Sequence, residues 1–72
     1  MQASEIKALI EAAIPGAVAE VSGDGDHFEA RVRAAAFAGK SRVQQHQMVY
    51  AALGGHMQSD IHALALQTEV AD

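Results

Sequence analysis

Apolar residues near the start of the chain recur at the spacing of a helix that buries one side. They stand at relative positions i, i+3, i+4, i+7 and i+8, which places them on a single helical face. These residues are Ile6, Leu9, Ile10, Ala13 and Ile14. Ser4 is a candidate N-cap, and Pro15-Gly16 should end the helix because proline disfavours the helical conformation of the residue before it. The pattern predicts a helix over residues 4–14.

The next two segments have the alternation of β-strands. Residues 17–22 alternate weakly, whereas residues 27–34 alternate clearly between apolar and charged positions. The Gly23-Asp24-Gly25-Asp26 cluster between them has the composition of a tight turn. The two segments are therefore predicted to pair as an antiparallel hairpin. The apolar face of the second segment is formed by Phe28, Ala30, Val32 and Ala34.

A second helix and a third strand complete the predicted elements. Ser41 can cap a helix that extends to about Leu53, where Gly54-Gly55 stop it. A loop through Asp60 then leads to a strand over residues 61–68, and residues 69–72 are expected to form a frayed tail. The side chains predicted to face the core from the second helix are Val43, His46, Val49, Tyr50 and Leu53.

The order of the elements, αββαβ, predicts one α+β domain over residues 1–72. A strand–helix–strand unit joins the second and third strands, and such a crossover makes its two strands parallel when they share a sheet. We therefore expect a three-stranded mixed sheet with both helices packed on one face.

Size and composition restrict the function. A chain of 72 residues has little room for the concave site of about 300–1,000 Å³ that enzymes usually need, so we expect no enzymatic activity. The absence of cysteine excludes disulfides and thiolate ligands from this chain. With neither a signal peptide nor a run of about 20 apolar residues, a cytoplasmic protein without a membrane partner is expected. The net charge of −4 disfavours polyanions, although Arg31, Arg33, Lys40 and Arg42 cluster in the sequence.

Two histidines fall near the beginnings of the strands predicted to be parallel. His27 and His62 should therefore lie at one end of the sheet, where strands about 4.8 Å apart allow two imidazoles to reach one metal ion. Strand alternation groups His62 with Leu64 and Leu66, so the pair can form only if His27 belongs to the Gly-rich turn. On spacing alone, the favoured alternative is that His62 hydrogen-bonds a carbonyl and His27 is solvated.

Two segments of the chain resemble the BolA family of small proteins. They are SGDGDHFEARV, which contains His27, and FAGKSRVQQHQMVYAALGGHMQSDIHALALQT, which spans residues 37–68; the resemblance extends from Ser4 to about Thr68. It implies a fold like a class II KH domain and a monothiol glutaredoxin as partner. It also implies that His62, in IHAL, and His27, from the loop between the first two strands, bind a [2Fe–2S] cluster shared with that glutaredoxin and glutathione. Two histidines in place of two cysteines is the Rieske arrangement, which raises the reduction potential.

The resemblance favours an adaptor for cluster sharing, transfer or iron and redox sensing. His62 is expected to be the better-ordered ligand because its strand is anchored in the core, whereas His27 must become ordered with its turn. His46 is expected to be partly buried, and His56 exposed without a role. The alternative is a KH-like transcriptional regulator that binds DNA. Its nearest match to a GXXG loop, Gly39-Lys40-Ser41-Arg42, lacks the second glycine.

Overall fold

The computed structural model describes residues 1–71 and contains the predicted elements in the predicted order. A single 3₁₀ turn follows the second strand, and a short third helix occupies the segment expected to be a loop. The elements are α1 (Ala3–Ala13), β1 (Val18–Gly23), β2 (His27–Ala34), the 3₁₀ turn (Ala35–Phe37), α2 (Arg42–Leu53), α3 (His56–Ser59) and β3 (Ala63–Val70).

The three strands form one sheet in the order β1-β2-β3. β1 and β2 are antiparallel, as the Gly/Asp turn predicts, with Val18 opposite Arg33. β2 and β3 are parallel, as the crossover rule predicts, with His27 opposite Ala63 and Ala34 opposite Val70. The predicted mixed sheet is therefore confirmed, and β2 is its central strand.

One apolar core lies between the sheet and the helices. The exposure of β2 alternates strictly along its eight residues, so one face is buried and the charged face is open. Side chains of both long helices join the buried face of β2 in the same cluster, which confirms that these helices cover one face of the sheet. The most buried large side chains are Phe28, Phe37, Ile6, Ile10, Leu53, Val32 and Val49.

The ends of the two long helices agree with the sequence only in part. α1 begins at Ala3 with Gln2 as its N-cap, and the Glu5 carboxylate accepts a hydrogen bond of 3.0 Å from the Gln2 backbone N–H. The prediction of Ser4 as the cap is therefore wrong, because Ser4 lies inside the first turn. Ser41 caps α2 as predicted, and its hydroxyl accepts a hydrogen bond of 3.1 Å from the Gln44 N–H.

The buried face of α2 differs from the predicted one. Gln45, Val49 and Leu53 are buried, whereas the side chains of Val43 and Tyr50 are exposed. Gln45 faces inward because its amide satisfies three polar groups. It donates hydrogen bonds to the carbonyls of residues 37 and 40, at 3.3 and 3.0 Å, and accepts one of 2.7 Å from the hydroxyl of residue 68. An apolar-residue pattern does not identify a buried glutamine.

The segment expected to be a frayed tail continues the sheet as far as Val70. Glu69 lies opposite Arg33 on β2, and its carboxylate is 2.9 Å from Nε of Arg31 and 3.8 Å from Nε of Arg33. The backbone N–H of Ala71 donates to the carbonyl of Ala34 at 3.2 Å. The prediction of fraying is thus wrong for the last residues of β3, and Asp72 lies outside the described residues.

Two side chains of α1 satisfy the backbone groups of Ala19 on the outer edge of β1. The Ala19 N–H donates to the Glu11 carboxylate at 3.0 Å, and the Lys7 ammonium donates to the Ala19 carbonyl at 2.8 Å. Lys7 also donates to Glu11 at 2.8 Å. The two hydrogen bonds to its carboxylate lower the pKa of Glu11, and the bond from Lys7 has a larger effect than the bond from the Ala19 N–H. They also protect the strand edge from pairing with another chain.

None of the helices within residues 1–71 has the length and apolar character needed to cross a bilayer.

Candidate metal centre at one end of the sheet

The parallel register of β2 and β3 brings His27 and His62 together. His27 is the first residue of β2 and lies opposite Ala63, the first residue of β3, so His62 immediately precedes the matching position. The centroids of the two imidazole rings are 5.5 Å apart, and the ring planes are inclined by 73°. The prediction that both histidines lie at one end of the sheet is confirmed.

The position of His27 is determined by the turn that precedes it. The carboxylate oxygen Oδ1 of Asp24 accepts hydrogen bonds from the backbone N–H groups of Asp26 and His27, at 3.2 and 3.1 Å. The Asp24 N–H in turn donates to the His27 carbonyl at 3.3 Å. The two hydrogen bonds to the carboxylate lower the pKa of the Asp24 carboxyl, and the bond from the His27 N–H has the larger effect. The turn is therefore closed by its own polar groups.

Two glycines allow this closure. A Cβ atom at Gly23 would overlap the carbonyl oxygen of His27 and would lie 2.5 Å from Cδ1 of the Phe28 ring. Gly25 has a φ of +105°, a conformation that residues with a Cβ rarely adopt. The predicted Gly/Asp turn is confirmed, and it uses glycine for close approach and for a positive φ.

The position of His62 differs from the expected one. The strand begins at Ala63 rather than at Ile61, because the Ile61 N–H donates to the His56 carbonyl at 2.9 Å and closes the end of α3. Ile61 is buried, whereas His62 is exposed between α3 and β3. Strand alternation does not apply to His62, so the ring need not point with Leu64. The expectation that His62 is held within a strand, and His27 only in a turn, is therefore reversed.

A backbone hydrogen bond connects the two histidine segments. The N–H of Ala63, which directly follows His62, donates to the carbonyl of Asp26 at 3.2 Å. Asp26 directly precedes His27. The residues adjoining both histidines are thus joined, and this connection limits how far the two rings can separate.

The ring separation and the accessibility of the pair are compatible with an incomplete metal site. Two imidazoles on one tetrahedral metal, with nitrogen–metal bonds of about 2.0–2.1 Å, have ring centroids roughly 5 Å apart. Both residues are exposed, and neither ring is hydrogen-bonded to another group of residues 1–71. No set of three or more His, Cys, Asp or Glu within these residues could hold a metal ion. His27 and His62 can therefore supply two ligands to a centre that is completed from outside this part of the chain.

A groove on the open face of the sheet begins beside His27. Its volume is about 390 Å³, and its lining combines turn residues with small residues of β3. The lining residues are Ser22, Gly23, Asp24, His27, Phe28, Glu29, Ala63 and Ala65. A partner that approaches His27 therefore meets a concave surface, half of whose lining residues are small.

The other two histidines are separate from this pair. His46 on α2 is half-buried, as predicted, and its ring stands edge-on to Tyr50 with centroids 6.4 Å apart. His56 on α3 bonds through Nδ1 to the Asp60 carboxylate at 2.5 Å. Sequence reasoning missed this pair, although an i, i+4 spacing would have revealed it once α3 had been recognised as a helix.

The basic residues occupy two elements of the structure. Arg31 and Arg33 lie on the open face of β2, and both approach the Glu69 carboxylate. Lys40 and Arg42 flank the start of α2. The two β2 arginines are thus partly neutralised, which weakens the case for a single basic patch.

Comparison with known proteins agrees with this architecture. A sequence model for the family described as BolA-like protein matches residues 4–72. A bolA protein homologue from Coxiella burnetii has 44% sequence identity and a TM-score of 0.89, over 100% of this chain and 94% of that chain. The BolA domain of SufE1 from Arabidopsis thaliana has 30% identity and a TM-score of 0.81, over 94% of this chain and 89% of that chain.

A curated relative also matches most of the sequence. It is described as an uncharacterized protein in the rpoN-murA intergenic region of Acinetobacter guillouiae, and it is 32% identical over 68 residues. The match covers 93% of this chain and 82% of the relative. Fold and sequence together define a small α+β domain with a three-stranded mixed sheet like that of the solved BolA structures. The chain belongs to the BolA-like family.

Proposed function

We propose that this BolA-like protein is an adaptor that shares a [2Fe–2S] cluster with a monothiol glutaredoxin, in cluster assembly, transfer or iron and redox sensing. The observation that carries the proposal is the exposed pair of His27 and His62, with ring centroids 5.5 Å apart. Membership of the family supports it, because the resemblance to BolA proteins implies these two ligands. The role involves binding and transfer rather than turnover.

The ligands are divided between the partners by chemistry. This chain contains no cysteine, so it can supply no thiolate to an iron site, whereas its histidines supply nitrogen donors. The glutaredoxin cysteine and a bound glutathione supply the sulfur ligands in the proposed complex. Two imidazoles in place of two thiolates raise the reduction potential of such a cluster. The proposed setting is the cytoplasm, where the glutathione pool keeps thiols reduced.

The surroundings of the pair suit docking by a protein that carries the cluster. Both imidazoles are exposed, and the groove of about 390 Å³ beside His27 opens onto the uncovered face of the sheet. The core lies on the other face, beneath the helices. A partner can therefore reach the two rings without rearrangement of the core.

A spectroscopic titration tests the proposal. Cluster-loaded glutaredoxin with glutathione is titrated with the wild-type protein, and visible absorption and circular dichroism are recorded. We expect a new spectrum that saturates at a fixed ratio and is lost or strongly reduced with His27→Ala and with His62→Ala. His56→Ala is the matched control, because that ring is bonded to Asp60. A spectrum unchanged by addition of wild-type protein would overturn the proposal.

A nucleic-acid-binding regulator is the second candidate, and a groove beside α2 favours it. This groove of about 450 Å³ is lined by Arg42, His46 and residues 66–68, and it begins near the segment that resembles a GXXG loop. The missing second glycine, the net charge of −4 and the contacts of Glu69 with the β2 arginines weigh against it. Salt-dependent binding of labelled DNA that Arg42→Ala weakens, together with no cluster spectrum, would favour this candidate.

A further inference from the structure

We infer that Asp24 is a positioning residue that holds His27 and His62 in a metal-binding arrangement. This inference rests on the proposed function, since it concerns the same two ligands. Asp24 need not touch the metal to have this role. Its carboxylate fixes the backbone of the turn by hydrogen bonds, and the fixed turn limits the positions of both histidines.

Oδ1 of Asp24 accepts a double hydrogen bond from the backbone of the turn. The N–H groups of Asp26 and His27 both point at this oxygen, at 3.2 and 3.1 Å. Two bonds to one side-chain atom fix the peptide planes on either side of Asp26. The direction of the Cα–Cβ bond of His27, and with it the range of its ring, follows from those planes.

A backbone hydrogen bond transmits this order to the start of β3. The peptide plane between Asp26 and His27 carries the Asp26 carbonyl, which accepts the hydrogen bond from the Ala63 N–H at 3.2 Å. Ala63 directly follows His62, which lies outside the strand and lacks its constraint. The Asp24 carboxylate thus orders His27 directly and His62 through one further hydrogen bond.

Two substitutions at Asp24 separate the effect of hydrogen-bond geometry from that of charge. Asparagine can accept the same two hydrogen bonds through its side-chain oxygen, but it carries no negative charge. Alanine removes both the acceptor and the charge. Asp26, two residues away in the same turn, provides a control, because within residues 1–71 only its backbone groups form hydrogen bonds. Asp26→Ala therefore removes a nearby charge without removing an acceptor of the turn.

The experiment has an arm in the free protein. NMR measures the amide exchange of residues 26 and 27 and the cross-relaxation between the ring protons of His27 and His62. In Asp24→Ala we expect exchange to accelerate by about tenfold or more, the effect of losing two hydrogen bonds to one side-chain acceptor, and the ring contact to be lost. Asp24→Asn and Asp26→Ala should retain both signals. A melting curve of each variant shows whether it remains folded at the temperature of measurement.

The second arm uses the complex with cluster-loaded glutaredoxin and glutathione. Asp24→Ala should need about tenfold more protein than wild type to produce the same histidine-dependent spectrum. Asp24→Asn should need about the wild-type concentration. Unchanged ring contact in Asp24→Ala would overturn the inference, as would Asp24→Asn behaving like Asp24→Ala. If wild-type protein gives no cluster spectrum but Asp24→Ala still separates the rings in the free protein, the proposed function fails and the positioning role stands.

Discussion

His27 and His62 stand edge to face at one end of the sheet, with ring centroids 5.5 Å apart, although only His27 belongs to a strand. The register of the parallel strands brings the two residues together, and the hydrogen bond from Ala63 to Asp26 joins the segments that carry them. An accessible pair of imidazoles is the feature of this fold best suited to sharing a metal centre with a partner.

Substitution at Gly23 should disturb both stability and the histidine pair. Gly23→Ala introduces a Cβ that overlaps the His27 carbonyl and approaches the Phe28 ring, so the turn or the strand must shift. We expect a loss of about 1–3 kcal/mol in the free energy of unfolding, measured by chemical denaturation.

Gly55→Ala is the control for this substitution. Gly55 has no positive φ, and nothing lies within 4 Å of the position of an added Cβ. Its variant should unfold at nearly the wild-type denaturant concentration. Equal destabilisation by both substitutions would show that the close approach at Gly23 is not the cause.

Removal of the Gln45 side chain should destabilise the fold although it adds no strain. Gln45→Ala leaves the carbonyls of Phe37 and Lys40 and the hydroxyl of Thr68 without this partner. We expect a cost of about 1–3 kcal/mol in the free energy of unfolding. The exposed Gln47 on the same helix provides the control, since Gln47→Ala should change stability by less than about 0.5 kcal/mol. Comparable effects of the two substitutions would contradict the role of Gln45.

Acidification should weaken the contact between α1 and β1. The pKa of Glu11 in the folded protein is below its ordinary value of 4.5, because Lys7 and the Ala19 N–H stabilise the ionised form. The ionised carboxylate therefore contributes stability above about pH 4.5, and this contribution is lost as the pH falls through the lower, folded-state pKa.

Thermal melting of wild type and Glu11→Gln between pH 6 and pH 3 measures this contribution. The difference in melting temperature should be largest near pH 6 and should shrink as the pH falls and wild-type Glu11 becomes protonated. A difference that stays constant over the whole range would indicate that the charge of Glu11 has no part in the contact.

The sequence predicts the fold well because the strand and helix periods are clear where one face is buried. β2 is the strongest case, since the alternation of residues 27–34 matches its buried and exposed faces throughout. The α2 pattern is less informative, because its inward face begins with a glutamine and its apolar residues Val43 and Tyr50 are exposed. The pattern of apolar residues cannot predict a polar side chain that is buried to satisfy backbone carbonyls.

The candidate site could be predicted only at the level of which end of the sheet it occupies. Parallel strands place His27 and His62 at one end, and this much follows from the order of the elements. The start of β3 does not follow, because it depends on the hydrogen bond from Ile61 to His56 that completes α3. The role of Asp24 depends on the orientation of one carboxylate in the turn, which a Gly/Asp-rich sequence does not specify.

The most direct test of the central proposal is a count of histidine nitrogens coupled to the reduced cluster. Pulsed EPR of the reduced complex with glutaredoxin, in wild type and in His27→Ala, His62→Ala and His56→Ala, measures the ¹⁴N couplings. We predict two strongly coupled histidine nitrogens in wild type and in His56→Ala, and one fewer in the residual complex that each of the other two variants forms. A wild-type complex without such couplings, or couplings that neither His27→Ala nor His62→Ala changes, would contradict ligation by this pair.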